Sequence, residues 1–265
     1  AVYNLSFKKT LLLIEHFGSV TKAYEASAQE LAATHLITAE KCSKILTSRG
    51  KDYPQKLQAF CENNGVAILT TADSNYPLQL KNIQNPPSVL YVKGTLPDTD
   101  KAVGVVGSRK STSYGLKVAG TFAQDLALAG LTIISGGARG IDTAAHKGAL
   151  KANGKTIAVL GCGIDVIYPY ENVDLFKQIS KIGAIITEFP PGTEPLAKNF
   201  PARNRIISGF SQGILVVEAA RKSGAMITAE FAIDEGREVY CIPGSIFSPT
   251  SVGTHSLIKQ GAKLV

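Results

Sequence analysis

The stretch 102-AVGVVGSRKSTSYGLKVAGTFAQDLALAGLTIISGGARGID-142 decides the fold. It opens on an apolar β-branched run, 102-AVGVVG-107, and after a short polar loop continues as 115-GLKVAGTFAQDLALAG-130, where apolar residues recur three and four apart as on one face of a helix. A second apolar run, 131-LTIIS-135, leads through 135-SGGARGID-142 into the helical 142-DTAAHKGALKANG-154. The alternation continues with 156-TIAVLG-161, 184-AIITEF-189, 213-GILVVEAA-220, the helix 225-AMITAEFAIDEG-236, 239-VYCIPG-244 and a last segment 254-THSLIKQGAKLV-265. Short, wholly apolar strands with helices between them predict a parallel, doubly wound sheet covered on both faces.

Upstream, 66-VAILTT-71 and 89-VLYV-92 read as strands leading into that sheet, separated by the turn-rich 73-DSNYP-77 and 85-NPPS-88. The first sixty residues read as short helices over 5–17, 19–26, 29–33 and 39–50. Ser27 and Glu30 stand at capping-box spacing. The connection 17-FGS-19 resembles the hairpin of a helix-hairpin-helix or SAM-like domain, but the paired glycines of a phosphate-binding hairpin are reduced to Gly18, which favours a bundle used for packing or protein contact.

Composition narrows the function. Apolar runs such as 213-GILVV-217 fall far short of the roughly 18 residues of a membrane span. Cys42, Cys61, Cys162 and Cys241 form no CxxC pair and no zinc-ligand spacing, which argues against a disulfide framework or structural zinc. The N-terminal apolar patch, 1-AVYNLSFKKTLLLIEHFG-18, lacks a small-residue cleavage site, so a reducing cytoplasmic compartment is expected. The net charge of +7 is uneven: residues 1–100 carry 10 basic and 9 acidic side chains, residues 101–265 carry 18 and 12. The surplus in the larger part points to a polyanion such as nucleic acid or a phosphorylated ligand.

Ligands of an open parallel sheet sit beyond the carboxyl ends of its strands. The loops expected there, 107–115, 135–142, 189–209 and 221–229, gather Arg109, Lys110, Arg139, Lys198, Arg203, Arg205, Arg221 and Lys222. Gly107, Ser108, Ser135, Gly136 and Gly137 are small enough for backbone amides to approach a phosphate. A dinucleotide site fits poorly, since 104-GVVGSRK-110 lacks G-x-G-x-x-G and no acidic residue ends the second strand; a P-loop is absent. Phe200, between Lys198 and Arg203, offers a ring on which an unpaired base can stack while cations hold phosphates. Asp142 is expected to cap the helix starting at 143, His146 to face neighbouring side chains, and Glu188 and Glu218 to end strands; no catalytic triad can be assembled.

The blocks 107-GSRKSTSYG-115, 135-SGGARGID-142, 199-NFPARNRIISG-209, 216-VVEA-219, 223-SGAMITAEFA-232, 236-GREVYCIPG-244 and 253-GTHSLIKQGAKLV-265, in this order, resemble the DNA-processing protein A family, also called DprA or Smf. The resemblance implies an extended Rossmann-like, mostly parallel α/β domain over 61–265, preceded by a small helical domain over 1–60. It implies a cytoplasmic, non-enzymatic protein with no cofactor or metal. Such a protein binds incoming single-stranded DNA during natural transformation, protects it and helps load the recombinase RecA. Carried over by position, Ser108, Arg109, Gly136, Gly137, Lys198, Phe200, Arg203, Asn204 and Arg205 match the DNA pocket, with Arg139 added from the basic edge. A homodimer contact maps to 254–265, with His255 and Leu264 as candidates beside the plain alternative that this segment is core. Many members continue into a winged-helix domain, which is expected to be absent from this chain.

Two other functions compete. The Gly-Gly loop also resembles that of nucleotide-processing phosphoribohydrolases, which carry PGGxGT-x-x-E; here Ser135 replaces the proline, the loop glutamate is missing, and Glu218 is the carboxylate to test. In the other, the helical domain docks a partner while the large domain only oligomerises.

Overall fold

The computed structural model describes residues 5–50 and 52–265; residues 1–4, where the apolar N-terminal patch begins, and Lys51 lie outside the described residues. Four helices come first, α1 (Phe7–Phe17), α2 (Val20–Glu25), α3 (Ala28–Ala33) and α4 (Ala39–Ser48). Each begins after a serine or threonine, Ser6, Ser19, Ser27 or Thr38, whose side-chain oxygen accepts an amide of the first turn. The Ser27–Glu30 pair closes the reciprocal box that its spacing predicts, with the Ser27 amide donating to Glu30 Oε2 at 2.7 Å. Gly18, at φ +79°, ends α1 in the left-handed region and turns the chain into α2. These helices close on a core of their own, Leu13, Ala26, Leu31, Ile37, Cys42 and Ile45.

The next helix, α5 (Tyr53–Asn63), belongs elsewhere. Its Cys61 sits in a cluster with Val66, Tyr91, Phe176 and Ile185, so α5 shares the core of the sheet rather than that of the preceding helices, although most of it falls within the helical segment read over 1–60.

Then follow β1 (Val66–Thr70), α6 (Leu78–Lys81), β2 (Val89–Gly94), β3 (Ala102–Val106), α7 (Ser113–Leu128), β4 (Thr132–Ser135), α8 (Ile141–Lys151), β5 (Thr156–Val159), a 3₁₀ turn (Tyr170–Asn172), α9 (Val173–Ile182) and β6 (Ala184–Thr187). The chain finishes with α10 (Asn199–Phe210), β7 (Gly213–Val216), α11 (Gly224–Asp234), β8 (Glu238–Cys241), α12 (Val252–Lys259) and β9 (Lys263–Leu264). The strands form one sheet in the order β1-β2-β6-β5-β4-β3-β7-β8-β9. From β6 to β9 all neighbours are parallel, while β1 and β2 add an antiparallel edge. Every residue of β4, β5, β6 and β7 is buried, as strands covered on both faces require.

Adjacent residues on one strand feed opposite cores, because strand side chains alternate. Val106, Ile134 and Val216 pack with Ile206, Phe210, Ala229 and Leu257 of α10, α11 and α12. Their neighbours Val105, Ile133 and Leu215 pack with Ala119, Ala123, Ala145 and Ala149 of α7 and α8. The small residues of those two helices let them lie close; a Cβ on Gly148 would collide with the Gly120 carbonyl. Topology also fixes the place for a ligand. The chain runs β3, β4, β5, β6 in one direction and then crosses to β7 on the other side of β3, opening a crevice beyond the carboxyl ends of β3 and β7. Among the described residues no helix is long and apolar enough to cross a membrane.

Candidate nucleic-acid interface

Residues 199–209, expected to continue a loop, instead form most of α10. The helix escapes a pattern reading because its inner face mixes Ile206, Ile207 and Phe210 with Asn199, Arg203, Asn204 and Arg205, all of them buried. Arg203 gives this burial its purpose. Its Nη1 donates to the carbonyl of Gly136, just past β4, at 2.8 Å and to that of Val159, the last residue of β5. One guanidinium thus satisfies carbonyls at the carboxyl edge of the sheet that no further strand residue reaches. Burial pulls the Arg203 pKa down to about 10, opposed by Asp142 and reinforced by Arg109.

Asp142 does not cap a helix starting at 143. Helix α8 starts earlier, at Ile141 after Gly140, whose φ of +76° and closeness to the Ser108 carbonyl leave no room for a side chain. From the first turn the Asp142 carboxylate turns back to accept the Ala138 amide at 3.2 Å. It faces Arg203 across bare backbone: a Cβ on Gly136 would lie 2.5 Å from Arg203 Nη2 and 2.7 Å from Asp142 Oδ2. Burial raises the Asp142 pKa, and Arg203 offsets part of that rise. Gly136 and Gly137 are therefore small for an internal reason; a Cβ on Gly137 would strike the Phe176 ring at 2.6 Å, and both glycines are buried.

Above this buried charge pair lies the exposed part of the site. Phe200 is half-buried, its ring resting on the bare backbone of Gly161, where a Cβ would come within 2.9 Å. Tyr168 tilts against it at 5.5 Å, the exposed Arg109 lays its guanidinium over the ring at 5.0 Å, and the buried Arg203 guanidinium lies 5.9 Å from its centre. Lys198 is exposed at the start of α10, two residues away along the chain. Ser108 shapes the Arg109 loop: its Oγ accepts the Lys110 amide at 3.1 Å and its carbonyl the Ile141 amide at 3.3 Å.

Other residues singled out from the sequence are drawn away. Arg205 is buried and forms a bidentate pair with Glu188, while its Nε donates to the Asn85 carbonyl at 2.8 Å. Its guanidinium ties α10 to the 85–88 turn and is not free to meet a phosphate. Asn204 donates to the Gly224 carbonyl at 2.9 Å, joining α10 to the start of α11. Arg139 is exposed and paired with Glu171, which raises its own pKa and lowers that of the glutamate. His146 is fully buried with Nδ1 2.8 Å from Thr156 Oγ1, and burial pushes its pKa down to about 3. His255 Nε2 accepts the Gly244 amide at 3.3 Å, and Leu264 stands exposed on β9, the outermost strand. The sequence pattern did not single out Tyr168, Gly161 or Asn172, which donates to the Gly137 carbonyl and to Thr143 Oγ1. Only the apolar run ending at Gly161, which sends the following segment past the same edge, pointed to Gly161 and Tyr168; no local signal pointed to Asn172.

Glu218 is structural. Its carboxylate accepts the Thr112 amide at 2.9 Å and the Thr112 hydroxyl, and a Cβ on Gly115 would overlap it. It anchors the start of α7, where a negative charge is favoured by the helix dipole, and offers no free oxygen to a nucleotide. A cleft of about 490 Å³ between α8 and α9 is lined by Lys147, Lys151, Glu171 and Asp174, so its charges cancel.

Comparison with known proteins accords with this geometry. The family model of DNA recombination-mediator protein A matches residues 67–265. The DNA processing protein DprA of Bacillus subtilis is 42% identical over 214 residues, covering 80% of this chain and 72% of that protein. The chain spans about two thirds of the length of several such relatives. The X-ray structure of DNA processing protein A from Streptococcus pneumoniae superimposes with a TM-score of 0.84 at 38% identity, covering 99% of this chain and 90% of that one. DNA processing protein A from Helicobacter pylori, described for its single-stranded DNA binding mode, superimposes with a TM-score of 0.68 at 31% identity, covering 75% and 90%. With three quarters of its length matched by the family model, and with relatives this similar, the chain belongs to the DNA recombination-mediator protein A family.

Proposed function

We propose that this protein binds single-stranded DNA without enzymatic turnover at the carboxyl edge of its sheet, protecting incoming DNA and helping to load the recombinase RecA during natural transformation. The observation that carries the reading is the half-exposed Phe200 ring, flanked by Tyr168 and overlaid by an exposed Arg109 guanidinium beside Lys198. The exposed Arg109 side chain swings off the ring toward a phosphate and leaves an aromatic face that accepts any base; a splayed single strand uses both, whereas a paired duplex keeps its faces stacked. Ser108, Arg109 and Lys198 meet the backbone and Phe200 stacks a base, while Arg139 is held by Glu171 at the rim. Gly136, Gly137, Arg203, Asn204 and Arg205 hold the edge in shape from within. The Helicobacter pylori relative supports this reading. The site belongs to residues 61–265, and the helical portion over 1–60 serves contacts other than DNA. The protein acts in the cytoplasm as a homodimer joined near His255 and Leu264, where an exposed leucine on an outermost strand offers an edge for pairing.

Fluorescence anisotropy of labelled oligothymidine tests the reading against wild type, Arg109→Ala and Lys198→Ala, with duplex of equal length as control. Wild type binds the single strand in preference, and both variants bind it more weakly with unchanged melting temperature. Equal affinity of the three proteins would remove Arg109 and Lys198 from the site.

A further inference from the structure

The most exposed large hydrophobic residue among the described residues lies outside the site above: Phe247 is 90% exposed, beside Ile246 at 78% in the loop between β8 and α12. That loop is held firmly at its base. Tyr114 Oη donates to the Pro243 carbonyl at 3.1 Å, the Ala219 amide to the Thr250 carbonyl at 2.7 Å, and the Gly244 amide to His255. Within it, Ser245 accepts the Phe247 amide with its hydroxyl and the Ser248 amide with its carbonyl, and the Ser248 and Thr250 hydroxyls bond at 2.9 Å. A fully solvated phenyl ring on a pinned loop loses little ordering entropy when something stacks on it.

Position and charge say what that is. The loop leaves the carboxyl end of β8, two strand intervals from β3, or about 10 Å from the Arg109 loop along the same edge. Between them, after β7, stand the exposed Arg221 and Lys222, close along the chain to the Ala219 that clasps the Phe247 loop. Glu218, the nearest carboxylate in sequence, is buried and spent on Thr112, and residues 239–265 contain no aspartate or glutamate. An exposed aromatic ring and two exposed cations along one sheet edge complement a polyanion that carries flat apolar groups.

We propose that Phe247 is a second base-stacking site for single-stranded nucleic acid, with Arg221 and Lys222 holding the backbone between it and Phe200. This rests on the reading of the Phe200 edge as a single-strand site and extends the bound strand across β3, β7 and β8. Ile246, exposed beside it, contacts the sugar.

The chain contains no tryptophan, so Phe247→Trp introduces a single reporter. The full chain is titrated with oligothymidine by anisotropy and, for this variant, by indole fluorescence. Phe247→Ala lowers affinity about 5- to 150-fold, the loss of one stacked base. Its salt dependence matches wild type, since no cation is removed. Phe247→Tyr restores affinity, Phe247→Leu does not, and the indole fluorescence of Phe247→Trp is quenched as oligothymidine binds. The proposal is overturned if Arg109→Ala weakens binding while Phe247→Ala does not and the indole is unquenched. It is equally overturned if Phe247→Ala only changes the sedimentation coefficient, which would assign the ring to a contact between copies. Failure of wild type to bind oligothymidine would instead overturn the underlying reading, and this one with it.

Discussion

Replacing Arg203 by methionine is the sharpest perturbation of the architecture beneath the site. The variant keeps the aliphatic stem but leaves the Gly136 and Val159 carbonyls without their donor and the buried Asp142 carboxylate without its cation. Removing a buried cation that donates to two buried carbonyls and faces a buried carboxylate costs about 3–5 kcal/mol, which in a chain of this size lowers the melting temperature by about 6–20 °C. Burial raises the Asp142 pKa and lowers that of Arg203 to about 10, so for each group desolvation outweighs the attraction. Asp142→Asn combined with Arg203→Met should therefore cost less than the two single changes added, with a coupling of about 0.5–3 kcal/mol. The pH dependence follows from the direction of the Asp142 shift. A carboxyl with a raised folded pKa stabilises fully below its unfolded pKa and loses that contribution as pH rises through the folded value. Removing Arg203 raises the folded value further, so the deficit of Arg203→Met relative to wild type narrows on acidification. Thermal melts by circular dichroism at neutral and acid pH read all three effects. A loss under about 1 kcal/mol, additive singles, or a deficit that widens in acid would refute the reasoning.

Further outcomes follow from the same geometry. Gly140→Ala forces a side chain into φ +76° and against the Ser108 carbonyl, costing about 2–4 kcal/mol in urea denaturation; a neutral result would mean the 108–140 contact is loose. Glu218→Gln costs about 1–2 kcal/mol through the α7 start and leaves single-strand affinity intact. Release of free base from a nucleoside monophosphate stays at background in wild type and variant alike, and a wild-type activity lost in Glu218→Gln would revive the hydrolase reading. His146, with its pKa pushed down to about 3, stays neutral in the fold while the unfolded chain takes up a proton below about 6.5. Its contribution is present above that value and falls by about 1.4 kcal/mol per pH unit on acidification toward about 3. His146→Leu flattens this slope in denaturant titrations at successive pH values; an unchanged slope would assign the acid sensitivity to other groups.

The sequence pattern yields the frame readily, because β3 to β7 are short, predominantly apolar runs whose stable setting is between two helix layers. The capping box at Ser27 and the turn at Gly18 are equally legible, since they depend on neighbours in the chain. What escapes is decided at a distance. Helix α10 hides because Asn199, Arg203, Asn204 and Arg205 occupy its buried face, and the partners of the last three, at Gly136, Val159, Gly224, Glu188 and Asn85, are remote in sequence. The glycines 136 and 137 look like a phosphate cradle by composition, yet the space they leave is filled by Arg203, Asp142 and Phe176. Arg109 and Arg205 are equivalent as letters; one stands free over Phe200, the other is locked to Glu188. Helix α5 joins the sheet through Cys61, a contact no local spacing encodes.

The salt dependence of oligothymidine affinity, measured for wild type and Arg109→Ala, tests the central claim most directly. Each phosphate neutralised on a single strand adds about −0.7 to the slope of log affinity against log salt. Wild type should show a steep negative slope and prefer the single strand to duplex, and Arg109→Ala should show a slope shallower by about 0.7. A wild-type slope near zero, or duplex bound as well as the single strand, would contradict the assignment of this edge to single-stranded DNA.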